Sequence, residues 1–319
     1  ILSIPNPIMN LIDWMAKYYL SDYYHIIKTA YPGALKLTYS KKAIYLEDLE
    51  ESKKLDPEIV EKFNEYMREK QEITEATLKK HFSKNIINRA IKEKAIKIEK
   101  KINLNSKRKI AQKEKSELIE KNIILNEEQQ KAVNEIKESQ KQFFLLKGVT
   151  GSGKTEIYIN LIKEALEKGE GSIFLVPEIS LTTQMIQRLE EQFLNSVAIL
   201  HSKLTEQEKR QEWTYIRKGE KKIVVGARSA VFAPVQNLKY IVVDEEHENT
   251  YKQENNPRYH TKNVAIKRAL LEKNDVKVIL GSATPSFESF YQAKQGDIEL
   301  IELKKRYKEA KLPKYEIIN

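Results

Sequence analysis

Near the middle of the chain runs Gly148-Val149-Thr150-Gly151-Ser152-Gly153-Lys154-Thr155. It matches the phosphate-binding pattern G-x-x-x-x-G-K-[ST] at every fixed position. Before it runs Phe143-Phe144-Leu145-Leu146, short, apolar and strand-like; after it, Glu156 to Ile162 continues at helical spacing. Strand, glycine turn and helix in that order is the context the pattern requires. Glycines let the backbone wrap a phosphate so that N–H groups point inward, and the helix N-terminus adds partial positive charge. Gly148, Thr150, Gly151, Ser152 and Gly153 are therefore expected to form a nucleotide cradle. Lys154 should lie against the β- and γ-phosphates, and the Thr155 hydroxyl should ligate Mg²⁺.

A second signal stands about ninety residues on. Tyr240-Ile241-Val242-Val243 reads as a buried strand that ends in Asp244-Glu245-Glu246-His247. Mg²⁺ takes hard oxygen ligands and usually keeps several waters, so Asp244 is the expected metal residue. Glu245 is expected to orient or deprotonate the attacking water, since phosphoryl transfer depends mainly on positioning and charge neutralisation. Gly281-Ser282-Ala283-Thr284-Pro285 follows another apolar strand and places the Ser282 and Thr284 hydroxyls near that metal site.

From Gln140 onward strands are expected at 143–147, 173–176, 197–200, 223–225, 240–243 and 277–281, alternating with helices. Such alternation predicts a parallel sheet covered on both faces. The stretches after its strands, Val176 to Gln184 and Gly226 to Ala230, fall on the phosphate-loop edge. Arg228 and Ser229 there can grip a phosphate backbone. Tyr251, Lys252, Arg258 and Tyr259 follow the acidic stretch; aromatics interleaved with cations suit single-stranded bases. A loop packed on itself is the alternative.

Upstream, Asn6 to Ala30 reads as one amphipathic helix. Asp56-Pro57-Glu58 starts another helix, followed by a short extended Glu72-Ile73-Thr74, two further helices and an alternating strand from Ala95 to Leu104. That is the order of a winged helix, in which the third helix and the wing usually face DNA. Lys97, Lys100 and Lys101 are the candidate DNA contacts on the wing. Between Lys84 and Lys113 there are 11 basic and 2 acidic residues, 11 − 2 = +9, against +10 for the whole chain. A local excess of this kind suits a polyanionic partner, most often nucleic acid, with a merely solvated helix and hairpin as the alternative.

The composition excludes several classes. There is no cysteine, so no disulfide and no cysteine metal site within these 319 residues, and the five histidines lack paired ligand spacing. No apolar run reaches the roughly 18 residues a membrane helix needs, and Ile1 to Pro5 lacks the pattern of a signal peptide.

The motifs together resemble superfamily 2 helicases, with DEEH standing for the DEAH-type box. GVTGSGKTEIY, VPEISLTTQ, LHSKLTEQEKRQEW, GARSAVFAP, VVDEEHENTYKQENNPRYH and GSATPSFES, in that order, are similar to the primosomal replication-restart helicases. The resemblance implies an α/β fold: a RecA-like P-loop helicase lobe, with a parallel sheet flanked by helices, preceded by a small winged-helix domain. It implies residues 1–38 as a connector ending an N-terminal DNA-binding domain, 39–105 as the winged helix, 106–122 as a charged linker and 123–319 as the first motor lobe. It implies ATP and Mg²⁺ as cofactors, with Gln129 on the adenine edge and His247 at the nucleotide site, and zinc only outside this chain. The implied activity is ATP-driven 3′ to 5′ unwinding at branched DNA in the bacterial cytoplasm, at the nucleoid. Single-stranded DNA-binding protein and helicase-loading proteins of the primosome are the implied partners, with no membrane. A branch-migration translocase, or a fork-binding and partner-docking module with a regulatory nucleotide site, are the competing readings. The second lobe that would supply an arginine to the transition state is not found in the chain, so a fragment with weak ATPase activity of its own is expected.

Overall fold

The computed structural model describes residues 4–31, 39–50, 56–102 and 125–306. The chain forms two compact units, one of Ile1–Ala34 with Ser106–Asn319 and the other of Leu35–Asn105. Residues 106–122, expected as a charged linker, lie outside the described residues.

Two helices open the chain, α1 (Asn6–Tyr18) and α2 (Tyr23–Ala30). The single helix expected from Asn6 to Ala30 is broken at Leu20, whose φ is +48°. Asp22 then restarts it by accepting the His25 N–H. Ile8, Leu11, Ile12 and Met15 of α1 and Ile26 and Ala30 of α2 are buried in the core of the larger unit. Residues 6–30 thus pack in the body of that unit through their apolar stripe.

The smaller unit holds β1 (Tyr39–Tyr45), α3 (Pro57–Lys70), β2 (Glu72–Thr74), α4 (Glu75–His81), α5 (Lys84–Lys92) and β3 (Ile96–Ile102). Asp56 caps α3 through the Glu58 N–H, with Pro57 at its first position. Val60, Phe63, Met67, Leu78, Ile86 and Ile87 make its core. The sheet order is β2-β1-β3, with both pairings antiparallel. The helix–strand–helix–helix–strand order follows the sequence expectation. β1 does not: it pairs with β3 from Tyr39↔Ile102 to Tyr45↔Ile96. The ribbon's second strand thus comes from before the first helix instead of following β3 through a hairpin.

The larger unit continues with α6 (Glu127–Glu138), β4 (Phe143–Gly148), α7 (Lys154–Glu167), β5 (Gly171–Leu175), α8 (Thr183–Phe193), β6 (Val197–Leu200) and α9 (Glu206–Lys218). It closes with β7 (Ile223–Gly226), β8 (Leu238–Asp244), α10 (Thr261–Leu271), β9 (Lys277–Ser282), α11 (Phe287–Gln295) and β10 (Glu299–Leu303). Its seven strands run in the order β10-β4-β9-β8-β5-β7-β6, and every pairing is parallel. The six expected strands are all present; β10, flanking β4, was not expected.

Successive strand residues enter opposite cores. Leu145, Ile173, Ile241, Val243 and Leu280 pack with α1, α2, α9 and α10. Phe144, Leu146, Phe174, Val242 and Ile279 pack with α6, α7 and α8. Burial on both faces is why these strands read as continuous apolar runs. The parallel sheet also puts the carboxyl ends of β4, β9 and β8 side by side, at the edge where such folds bind ligands.

Candidate functional site

The register fixes the site. Lys147 pairs with Ser282 across β4 and β9, and Gly281 pairs with Asp244 across β9 and β8. The phosphate loop, the serine turn and the acidic stretch therefore leave the sheet at one level. A cleft of about 330 Å³ opens there, lined by residues 150–156 together with Arg188, Asp244 and Glu245.

Gly151 and Gly153 have φ of +80° and +81°, which side chains other than glycine rarely adopt. They turn the loop so that α7 begins at Lys154 with its first N–H groups free of any side-chain cap. Lys154 is buried, with Nζ 3.1 Å from the Gly148 carbonyl oxygen and 3.6 Å from Glu245 Oε1. The Ser152 hydroxyl is buried without a hydrogen-bond partner.

Asp244 lies behind these groups. Tyr158 Oη donates to its Oδ1 at 3.3 Å and Tyr251 Oη donates to its carbonyl oxygen at 2.7 Å. Burial, reinforced by the neighbouring Glu245 charge, pushes the Asp244 carboxyl up to about 6. Gly281 makes this approach possible, since a Cβ there would fall 1.6 Å from Tyr158 Oη. Glu245 adopts φ +46°, a left-handed conformation unusual for a glutamate, and its carbonyl accepts the Glu248 N–H at 2.9 Å. The chain thereby turns sharply after Asp244 and sends Glu245 toward Lys154 and Glu246 in the opposite sense.

Glu246 was not singled out in the sequence, yet it organises the far side of the site. Its side chain is fully buried. Oε2 accepts from Lys262 Nζ at 3.1 Å, Ser289 Oγ at 2.8 Å and Ser286 Oγ at 3.0 Å; Oε1 accepts the Ser286 N–H at 2.6 Å. Burial alone would raise this carboxyl, but Lys262 and the serine donors hold it below the ordinary glutamate value. The acidic stretch is thus tied to α10 through Lys262 and to the start of α11 through Ser286. The S-x-x-S cap of α11 was the available signal: Ser286 accepts the Ser289 N–H. His247 Nδ1 shares a hydrogen bond of 2.8 Å with Ser282 Oγ, which also accepts the Thr284 N–H at 3.0 Å. Thr284 itself is exposed.

Burial and bonding bear on three of the expected contacts. Gln129 is 1% exposed, with both ends of its amide engaged within the lobe. Its Oε1 accepts the Asn126 N–H at 2.9 Å in a capping box, and its Nε2 donates to the Ser152 carbonyl at 3.0 Å. The glutamine braces the phosphate loop. Tyr251 and Tyr259 are each 1% exposed, so neither presents a ring to a base. Tyr251 is taken up by Asp244, and Tyr259 packs edge-on to Phe232. The loop between them is tied to the body: Arg228 donates to the Thr250 and Lys252 carbonyls, and Tyr19 Oη accepts the His260 N–H. Lys252, Arg258 and Ser229 remain exposed on this side. In the smaller unit Lys97 and Lys100 are exposed on β3, and Lys101 sits on the same strand opposite Ser40.

The residues fit a magnesium nucleotide. The loop offers unpaired N–H groups, a buried lysine and an orphan hydroxyl around the cleft. Among the described residues no three His, Cys, Asp or Glu side chains converge as a cage for a metal ion. A cation here would take Asp244 and Thr155 from the protein and its other ligands from water and phosphate, as Mg²⁺ does. Among the described residues no helix is long and apolar enough to cross a membrane.

Residues 126–293 match the family described as DEAD/DEAH box helicase. The chain is 50% identical over 184 residues to the replication restart protein PriA of Bacillus subtilis (strain 168), a match covering 58% of this chain and 23% of that protein. It is 33% identical over 321 residues to the replication restart protein PriA of Chlamydia trachomatis serovar D, covering 96% of this chain and 42% of that one. Among solved structures it is similar to RecG bound to a three-way DNA junction, with a TM-score of 0.44 and 26% identity, covering 59% of this chain and 25% of that chain. The chain spans less than half the length of these curated relatives. It belongs to the DEAD/DEAH box helicase family.

Proposed function

We propose that this DEAD/DEAH box helicase chain is the ATP-binding lobe of a 3′ to 5′ DNA helicase that recognises stalled or branched replication forks and initiates primosome assembly for replication restart. The observation that carries the reading is the meeting of Lys154, Asp244 and Glu245 across three adjacent strand ends. Similarity to the two PriA proteins supports the replication-restart assignment.

Bound ATP supplies the phosphoanhydride whose hydrolysis drives movement. Lys154 offsets phosphate charge at the bottom of the cradle. Asp244 and Thr155 hold Mg²⁺. Glu245, 3.6 Å from Lys154 and turned into the cleft by its left-handed backbone, accepts a proton from the attacking water. Changes at the acidic stretch reach two other elements through Glu246, so the state of the cleft is transmitted to α10 and α11. DNA is read by positive charge on the same sheet edge, where Lys252 and Arg258 are exposed, and by Lys97, Lys100 and Lys101 of the smaller unit acting as a winged helix.

Hydrolysis in the full-length protein tests the reading. Glu245→Gln should bind nucleotide and fork DNA but lose DNA-stimulated turnover by about 100-fold or more, as expected for removal of a positioned proton acceptor. Turnover at the wild-type rate in Glu245→Gln would overturn the assignment.

A further inference from the structure

The nucleotide cleft contains a cation that the motifs do not assign. Arg188 lies on α8, away from the phosphate loop in sequence, yet lines the same cleft as residues 150–156, Asp244 and Glu245. Its side chain is 47% exposed, and Nη2 donates to Glu156 Oε1. Glu156 directly follows Thr155 in the first turn of α7. The other oxygen of that carboxylate, Oε2, is buried and has no hydrogen-bond partner.

This pairing sets a carboxylate beside the proposed phosphate site. A carboxylate at the start of α7 repels a nucleotide phosphate chain bound a residue away, unless a cation offsets it. Lys154 is taken up lower in the loop by Gly148 and Glu245. Arg188 is the guanidinium on the cleft wall, with five N–H donors of which Glu156 engages only part. Planar guanidinium is well matched to phosphate oxygens.

We propose that Arg188 is a nucleotide-contacting residue that binds phosphate oxygens from the α8 side of the cleft, with Glu156 as its resting partner. The inference rests on the nucleotide reading of the phosphate loop. It adds a positive group from this lobe itself, separate from any arginine a second lobe contributes. The competing explanation is that the ion pair only ties α7 to α8.

The two separate in a titration of the chain with a fluorescent ADP analogue in the presence of Mg²⁺. Arg188→Ala should weaken binding about tenfold, the effect of losing one charge-assisted hydrogen bond. Arg188→Lys should recover most of it, and Glu156→Gln should bind as tightly as wild type or more tightly, because it removes a negative charge beside the phosphates. Unchanged affinity in Arg188→Ala would overturn the proposal. So would an equal loss in Glu156→Gln and Arg188→Ala, since that is the signature of a helix brace. Lys154→Ala in the same assay keeps the two ideas apart: if it binds like wild type, it is the nucleotide reading that fails.

Discussion

Lys262 and Glu246 form a buried ion pair, Nζ to Oε2 3.1 Å, one residue beyond the carboxylate that faces the nucleotide cleft. Neither partner reaches solvent to any useful extent, with side-chain exposures of 9% and 0%. Such a pair contributes little net stability when intact but leaves a costly charge when broken. Glu246→Gln should therefore lower unfolding stability by about 3 kcal/mol in urea titration. Adding Lys262→Met should restore part of the loss. An additive loss in the double variant would mean that the two side chains act independently.

Asp244 carries a pH dependence with a definite sign. Its carboxyl is raised from 3.8 to about 6 by burial and by Glu245. The folded state thus favours the protonated acid, so stability from this group is present below about pH 4 and is lost as pH rises toward 6. In the absence of Mg²⁺, Asp244→Asn should be more stable than wild type at pH 7.5, by about 1–3 kcal/mol. Metal ligation needs the carboxylate, so the Mg²⁺-dependent part of nucleotide affinity should fall as pH drops below 6. Thermal melts across pH and nucleotide titrations at pH 5.5 and 7.5 measure both effects.

Gln129 is bonded to the phosphate loop through the Ser152 carbonyl. Gln129→Ala removes the donor to the Ser152 carbonyl and one arm of the capping box. Affinity for ATP and GTP analogues should fall together, by about tenfold, corresponding to roughly 1.4 kcal/mol. A selective loss of ATP over GTP would show instead that the side chain swings to the adenine.

The buried tyrosines separate from the exposed cations. Tyr259 Oη lies beside the Arg228 guanidinium without a well-formed hydrogen bond, so Tyr259→Phe should cost at most about 1 kcal/mol of stability. Tyr251→Phe loses the bond to the Asp244 carbonyl and about 1 kcal/mol. Neither should change affinity for single-stranded DNA, because neither ring is accessible. Arg258→Ala and Lys252→Ala should each weaken that affinity and flatten its dependence on salt by about one unit of slope.

The sequence made some parts of this molecule legible and hid others for physical reasons. The phosphate loop, the acidic stretch and six strands were visible because glycine turns and doubly buried strands leave strong local patterns. β10 was hidden because an edge strand alternates with polar residues: Glu299, Leu300, Ile301, Glu302 and Leu303 look like loop or helix equally well. β1 was hidden because its partners β2 and β3 lie well beyond any local signal, the β3 pairings spanning Tyr45↔Ile96 to Tyr39↔Ile102. Tyr251 and Tyr259 looked like a stacking platform because cations surround them in sequence; only the fold shows that the rings point inward. Glu246 was masked by the two carboxylates before it, and its partners Lys262, Ser286 and Ser289 come together only in three dimensions. Arg188 likewise reaches Glu156 across thirty-two positions.

On the proposed function, nucleotide and DNA act on the same lobe. Fluorescence anisotropy tests it most directly, with this chain titrated onto forked, duplex and single-stranded DNA at several salt concentrations, with and without a non-hydrolysable ATP analogue. Binding should be salt-sensitive, favour the fork and change when the analogue is added, with the change lost in Lys154→Ala. Absence of DNA binding in every condition, or binding indifferent to nucleotide, would contradict it.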